Sequence, residues 1–172
     1  MITEDYVSFE TAKLLKDKGF SEWCFKCYGV AVLQNGVDIS FDEECDLRDN
    51  GREDEIEYVE GDRIYDYGCN NRDKDAKVWA APTLWVAMKW LREVHNKIIV
   101  PGISLDDRTS STINHYIVGI WYIPKNNGGA FCYTSPTPYN GYPSFEEACE
   151  AGIRYCLEKL DLEYERCRTA NT

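Results

Sequence analysis

Tyr28-Gly29-Val30-Ala31-Val32-Leu33-Gln34-Asn35-Gly36-Val37-Asp38-Ile39-Ser40-Phe41 reads as a β-hairpin. Asn35-Gly36 is the dipeptide that best accepts the two positive φ angles of a two-residue type I′ turn, and runs rich in apolar residues flank it. That turn sets Val32 opposite Ile39 and Val30 opposite Phe41, so one face of the hairpin carries matched apolar pairs. An antiparallel sheet is where the fold begins.

Upstream, Ser8 is placed to cap a helix from Phe9 to about Lys18, with Phe9, Ala12 and Leu15 on one face and Gly19 as a left-handed stop. Downstream, Thr83 caps a helix running to His95, with Asn96 as its stop. Leu84, Ala87, Met88, Leu91 and His95 make its stripe, and Val86, Trp90 and Val94 widen it. Lys97–Val100 and residues 113–123 read as strands, the second apolar on both faces as a central strand is, and residues 130–134 as a return strand. Ser144 and Glu147 form a capping box before a helix carrying Phe145, Ala148, Cys149, Gly152, Ile153, Cys156, Leu157 and Leu160. The expectation is an α+β domain over residues 1–162, with an antiparallel sheet of about four to six strands and three helices packed mainly on one face. Residues 163–172 are expected to be a polar C-terminal tail.

Charge is concentrated. Residues 37–75 hold 15 acidic against five basic residues, a local net of −10 in a chain of net −11. Residues 42–75 therefore read as an acidic insertion or mobile elaboration of the hairpin, with a second hairpin in which Ile56 and Tyr58 precede Gly61 and Ile64 and Tyr65 follow it. Such a chain is repelled by phosphate backbones, so neither direct nucleic-acid binding nor attachment to an anionic membrane surface is expected. The last part of the chain runs helix, three strands, helix, the order of a double-stranded RNA-binding domain, but without that fold's basic phosphate-contacting surface. The acidic opening Met1-Ile2-Thr3-Glu4-Asp5 and the lack of a long apolar run lead to an expected cytoplasmic location and free cysteines.

Cys24-Phe25-Lys26-Cys27 is a CxxC, with Cys45 and Cys69 further on. A zinc ribbon needs a second close pair, which these spacings lack, so no metal is expected, and of the two CxxC thiols one is expected buried and one facing outward. Cys149 and Cys156, seven apart on the apolar stripe, are expected in the core. From Asp46 to Glu57 the chain partly matches a calcium loop, but Arg48 stands where an oxygen ligand is needed and Glu53 where an apolar residue is usual. A solvated acidic loop is the expectation there. His95 and His115 are the chain's two histidines; both fall on structural positions, and no catalytic glycine loop, nucleophile elbow or HExxH is present. The reading leans away from an enzyme and implies no cofactor.

Two aromatic features point to recognition. Trp85 falls between Lys89 and Arg92 on the polar side of its helix, so either the acidic segment, the Lys and Arg stems or a partner should cover it. The Pro- and Tyr-rich loop at residues 136–143 displays Tyr139 and Tyr142, or packs them on a sheet edge. With Glu53, Asp54, Glu55 and Glu57, these residues make up the expected interaction set.

The stretches YVSFETAKLLKDKG (6–19), APTLWVAMKWLREVHN (81–96) and YPSFEEACEAGIRYCLEKL (142–160) resemble a set of small uncharacterised proteins of gut bacteria and their phages or prophages. The resemblance covers the three helices and implies a mobile-element context. The functional expectation is a non-enzymatic accessory factor that binds an unidentified protein partner, with a basic surface, through an acidic and aromatic face. The alternative is a small enzyme or ligand-binding domain with a pocket beside the central strand.

Overall fold

The computed structural model describes residues 5–39, 44, 47–66, 68–73, 76–104, 115–122, 132–138 and 141–169. The fold is α+β and its sheets are antiparallel, but the strands are divided between two three-stranded sheets rather than joined in one. The chain likewise divides into two compact units, Ser8–Pro82 and Thr83–Thr172 with Met1–Val7, where the sequence suggested one. Among the described residues no helix is long and apolar enough to cross a membrane.

Unit 8–82 opens with α1 (Phe9–Asp17), which buries Thr11, Ala12, Leu15 and Lys16. Ser8 accepts the Thr11 N–H at 3.3 Å, and Gly19 at φ +87° lets the Phe20 N–H return to the Leu15 carbonyl at 2.9 Å. Start and stop are those the sequence specifies. The sheet follows as β1 (Cys27–Leu33), β2 (Ile56–Tyr65) and β3 (Trp79–Ala80), with β1 in the middle.

The hairpin register differs from expectation by one residue. The Leu33 N–H meets the Val37 carbonyl at 2.8 Å and Val32 bridges to Asp38, so Gln34, Asn35 and Gly36 form a three-residue loop. A type I′ turn needs two positive φ angles; here Gly36 supplies one (φ +80°), while Asn35 instead uses its side chain to accept the Val37 N–H at 3.1 Å. Val32 therefore faces Asp38 rather than Ile39. Ile39 is still buried and donates to the Ala31 carbonyl at 3.2 Å, while Phe41 lies outside the described residues.

The long partner of β1 comes from the acidic stretch. Cys27 through Leu33 pair with Tyr65 back to Ile56, so this stretch is a frame element of its unit and not an insertion hung on the hairpin. Gly61 does not turn the chain. It sits in a bulge where Gly29 pairs with Arg63 and Val30 with Val59, leaving Glu60, Gly61 and Asp62 as extra residues. A Cβ on Gly61 would fall 1.9 Å from Val30 Cγ2, so only glycine lets the bulge lie on β1. Acidity also has a local physical use: β2 is an edge strand, and exposed Glu57, Glu60 and Asp62 together with the bulge protect it from pairing with another chain.

In unit 83–172 with residues 1–7, α2 (Leu84–His95) starts on Thr83, which accepts the Val86 N–H at 3.3 Å, and ends on Asn96 in the left-handed region (φ 55°). Leu84, Ala87, Met88, Trp90 and Leu91 are buried, while Val86 and Val94 remain exposed, so the buried stripe is narrower than expected. β4 (Lys97–Ser104), β5 (His115–Tyr122) and β6 (Cys132–Thr134) lie in that order, and α3 (Phe145–Thr169) packs on β4 and β5. β4 runs four residues further than expected, through Pro101. Pro101 faces Val118, whose N–H and C=O are turned the other way, to Thr137 Oγ1 at 2.9 Å and Ser135 Oγ at 2.8 Å. At that position the missing proline N–H costs no ladder bond. Ser144 caps α3 through the Glu147 N–H at 3.1 Å, and the helix continues to Thr169 through residues expected as a tail. Gly152 lets α3 approach the sheet, since a Cβ there would lie 2.8 Å from both Ile99 and Val118; Cys149 and Cys156 are buried on the same helix.

Replacing Gly61 by alanine forces either β1 or the bulge to move against a stiff β-branched neighbour. We expect Gly61→Ala to destabilise unit 8–82 by about 1–3 kcal/mol, read from urea unfolding, with Asp62→Ala beside it nearly silent. Equal stability of Gly61→Ala and the parent would contradict the bulge packing.

Candidate functional site

Two strongly exposed aromatic side chains of unit 8–82 sit one on each side of the first cysteine. Cys24 is buried in an antiparallel bridge with Cys69, closed by two backbone bonds of 2.9 and 3.0 Å. Residues before and after a buried one in extended chain point outward. Trp23 is 62% exposed and Phe25 80% exposed. The Trp23 ring lies on Gly68, where a Cβ would fall 2.3 Å from the ring, so glycine gives the indole a flat seat. Lys26, next in sequence, is bound by Asp66 at 2.7 Å, and 79% of the Asp66 side chain is exposed. Exposed Glu22 precedes the aromatic pair and Lys26, paired with Asp66, follows it. Neither Trp23 nor Phe25 was in the expected set, although the alternation in Trp23-Cys24-Phe25 carries the signal.

The expected residues are scattered. Trp85 is 68% exposed on α2, uncovered, beside a shallow pocket of about 80 Å³ lined by Met88, Lys89, Arg92, Ile98 and Ile99. Lys89 and Arg92 supply the cations of this lining, and Arg92 pairs with Glu93 at 3.5 Å. Tyr142 is a structural partner of β5: it bridges Tyr116 through two backbone bonds of 3.0 and 2.7 Å, and its hydroxyl donates to the Pro136 carbonyl at 3.2 Å. Burial raises the Tyr142 phenol above its ordinary pKa. Tyr139 lies outside the described residues. Glu53, Asp54 and Glu55 form a 3₁₀ turn, and Glu57 stands in β2 opposite Val32. Glu55 holds Arg52 through two bonds of 2.6 and 2.7 Å, and that guanidinium lowers its carboxyl pKa. The Gln34 N–H and side-chain amide bind the Glu55 and Asp54 carbonyls at 3.2 and 2.9 Å, so this turn secures the hairpin tip.

Among the described residues of the segment, the acidic side chain that is buried is Glu44. Glu44 accepts from Arg48 and Arg63 at 3.3 Å each and from the Tyr58 hydroxyl at 2.8 Å. Arg63 also donates to the Tyr65 hydroxyl at 2.6 Å and the Ile39 carbonyl at 3.0 Å, and Tyr65 accepts the Ala31 N–H at 2.8 Å. A carboxylate out of water needs such pairing. Arg48, the residue that argued against a calcium loop, is thereby committed to Glu44 and Tyr58.

A cleft of about 320 Å³ opens in the same unit between α1, the bulge and β3. Lys13 pairs with Glu60 and lies 5.2 Å from the Phe9 ring. Lys16 is buried, donates to the Ala76 carbonyl and, at 3.1 Å, to that of Val78, and stands over the Trp79 ring at 5.3 Å. Lys77 and Asp17 complete the wall. Among the described residues no group of three or more His, Cys, Asp or Glu is arranged to hold a metal ion. Comparison with known proteins found no matching family model, no matching curated protein and no matching solved structure.

Removing the Glu44 carboxylate leaves two guanidiniums and a phenol to find new partners. Glu44→Ala should cost about 1–3 kcal/mol of unit 8–82 stability, whereas exposed Glu57→Ala should stay within about 0.5 kcal/mol. Chemical denaturation of both variants checks this, and equal effects would contradict a structural Glu44.

Proposed function

We propose that this chain is a protein-binding accessory factor of a phage or mobile element, and that it engages a basic, apolar surface of its partner through Trp23 and Phe25. The observation that carries the reading is the exposure of this aromatic pair beside Glu22 and Asp66. Exposed Trp and other large aromatics dominate binding energetics when a partner desolvates them, and carboxylates around them favour encounter with cations and reject acidic competitors. The seat on Gly68 holds the indole before binding, which reduces the ordering cost. Trp85, flanked by Lys89 and Arg92, has the opposite electrostatic character and is not part of this surface.

A second reading, small-ligand binding, rests on the cleft of about 320 Å³ at Lys13, Lys16 and Trp79. Its volume is at the lower end for ligand sites. It lies beside α1 and the edge strand, not beside the central strand as the sequence-based alternative had it.

Affinity capture from host lysate, run in parallel with the parent, Trp23→Ser/Phe25→Ser and Trp85→Ala, tests the proposal. One protein should be retained by the parent and Trp85→Ala and lost by the double variant. With that partner purified, the double variant should bind about 30-fold or more weakly, and parent binding should weaken as salt rises. A folded double variant with unchanged partners and affinity would overturn it.

A further inference from the structure

The second sheet has the order β4-β5-β6, so β4 presents a free edge. Pro101 faces Val118, whose own N–H and C=O turn away from β4, which makes this a pair without mutual hydrogen bonds and turns the Pro101 backbone outward. Backbone direction alternates along a strand, so Ile99 and Ile103 present their N–H and C=O at the same edge. Among the described residues no strand or bridge pairs with β4 there.

A pocket opens on that edge. It is the one of about 80 Å³ beside Trp85, and its lining includes both Ile98 and Ile99. Ile99 lies under α3, where a Cβ on Gly152 would touch it, and Ile98, one residue earlier in the strand, points to the opposite face. Since β5 occupies the other edge of β4, a cavity that reaches both side chains lies along the free edge, between β4 and α2. Met88 adds to its apolar wall, and the volume admits one side chain rather than a whole small-molecule ligand. Lys89 and Arg92 complete the lining. Arg92 pairs with Glu93, but both side chains are exposed, so the pair is screened and the guanidinium still contributes positive potential.

We propose that this edge binds an extended, acidic segment of another protein by strand addition. The incoming backbone exchanges hydrogen bonds with Ile99, one apolar side chain of the segment fills the pocket against Trp85 and Met88, and carboxylates flanking that residue meet Lys89 and Arg92. Main-chain bonds supply affinity and the pocket supplies the choice of sequence. Pro101 limits the contact: it offers a carbonyl but no N–H, so the added ladder is interrupted two residues after Ile99 and a long strand, including a second β4, gains little there. Charge sets the sign of the occupant, because Lys89 and Arg92 attract carboxylates and repel a basic segment. The surface shares no residue with Trp23 and Phe25, and it selects a partner of the opposite charge.

Selection of a displayed random-peptide library on the immobilised full chain tests this. We expect the enriched peptides to share one apolar residue flanked by Asp or Glu, and to bind Trp85→Ala about tenfold or more weakly than the parent. On Lys89→Glu/Arg92→Glu the same library should instead yield peptides with Lys or Arg at the flanks, a reversal that loss of structure would not produce. Amide hydrogen exchange at Ile99 should slow when an enriched peptide is bound to the parent. All three side chains are exposed, so the substitutions leave the core intact. Failure to enrich any peptide, basic or unpatterned peptides from the parent, equal affinity for the parent and Trp85→Ala, or unchanged exchange at Ile99 in the complex would each overturn the proposal. So would a parent dimer in sedimentation that Trp85→Ala dissolves, since the edge would then belong to a second copy.

Discussion

β1 is satisfied along its length only because β2 runs antiparallel beside all seven of its residues, and much of unit 8–82 follows from that pairing. The bulge that fits the strands together lies on Val30 and places Glu60 where it meets Lys13 of α1. Tyr58, Arg63 and Tyr65 leave the same strand to enclose Glu44. The chain leaving β2 then carries Gly68 beneath Trp23 and Cys69 opposite Cys24. An acidic stretch read by charge alone is a solvated loop; read by its contacts it is the strand that organises its unit.

The three helices were legible in the sequence because their signals are local. Ser8, Thr83 and Ser144 each accept an N–H three residues on, and Gly19 and Asn96 take the left-handed backbone that stops a helix. Strand existence was legible for the same reason, but partnership was not. Whether Gly61 turns a chain or bulges within a strand depends on Val30, about thirty residues away, which no local pattern encodes. Asn35-Gly36 misled by one residue because a three-residue loop with one positive φ satisfies the same dipeptide as a two-residue loop with two. The division into two sheets also depends on long-range pairing.

The expected interaction set mixed residues with different physical duties. Tyr142 extends a sheet, Glu55 neutralises Arg52, and Glu57 guards an edge, so their chemistry is largely spent inside the fold. Trp23 and Phe25 are absent from that set because no local pattern says that Cys24 is the buried residue, and it is this burial that turns both rings outward. Spacing alone puts one CxxC thiol outward, yet Cys24 and Cys27 are both buried, Cys24 in its bridge to Cys69 and Cys27 at the start of β1.

If β2 is a frame strand, unit 8–82 cannot survive its loss. The direct measurement replaces residues 42–75 by a short Gly and Ser linker and follows amide hydrogen exchange across β1 and α1. The account predicts that protection of Cys27–Leu33 and Phe9–Asp17 collapses towards that of an unfolded chain. Native-like protection of both segments in the deletion variant would contradict it, and would return the acidic stretch to the role of an appended loop.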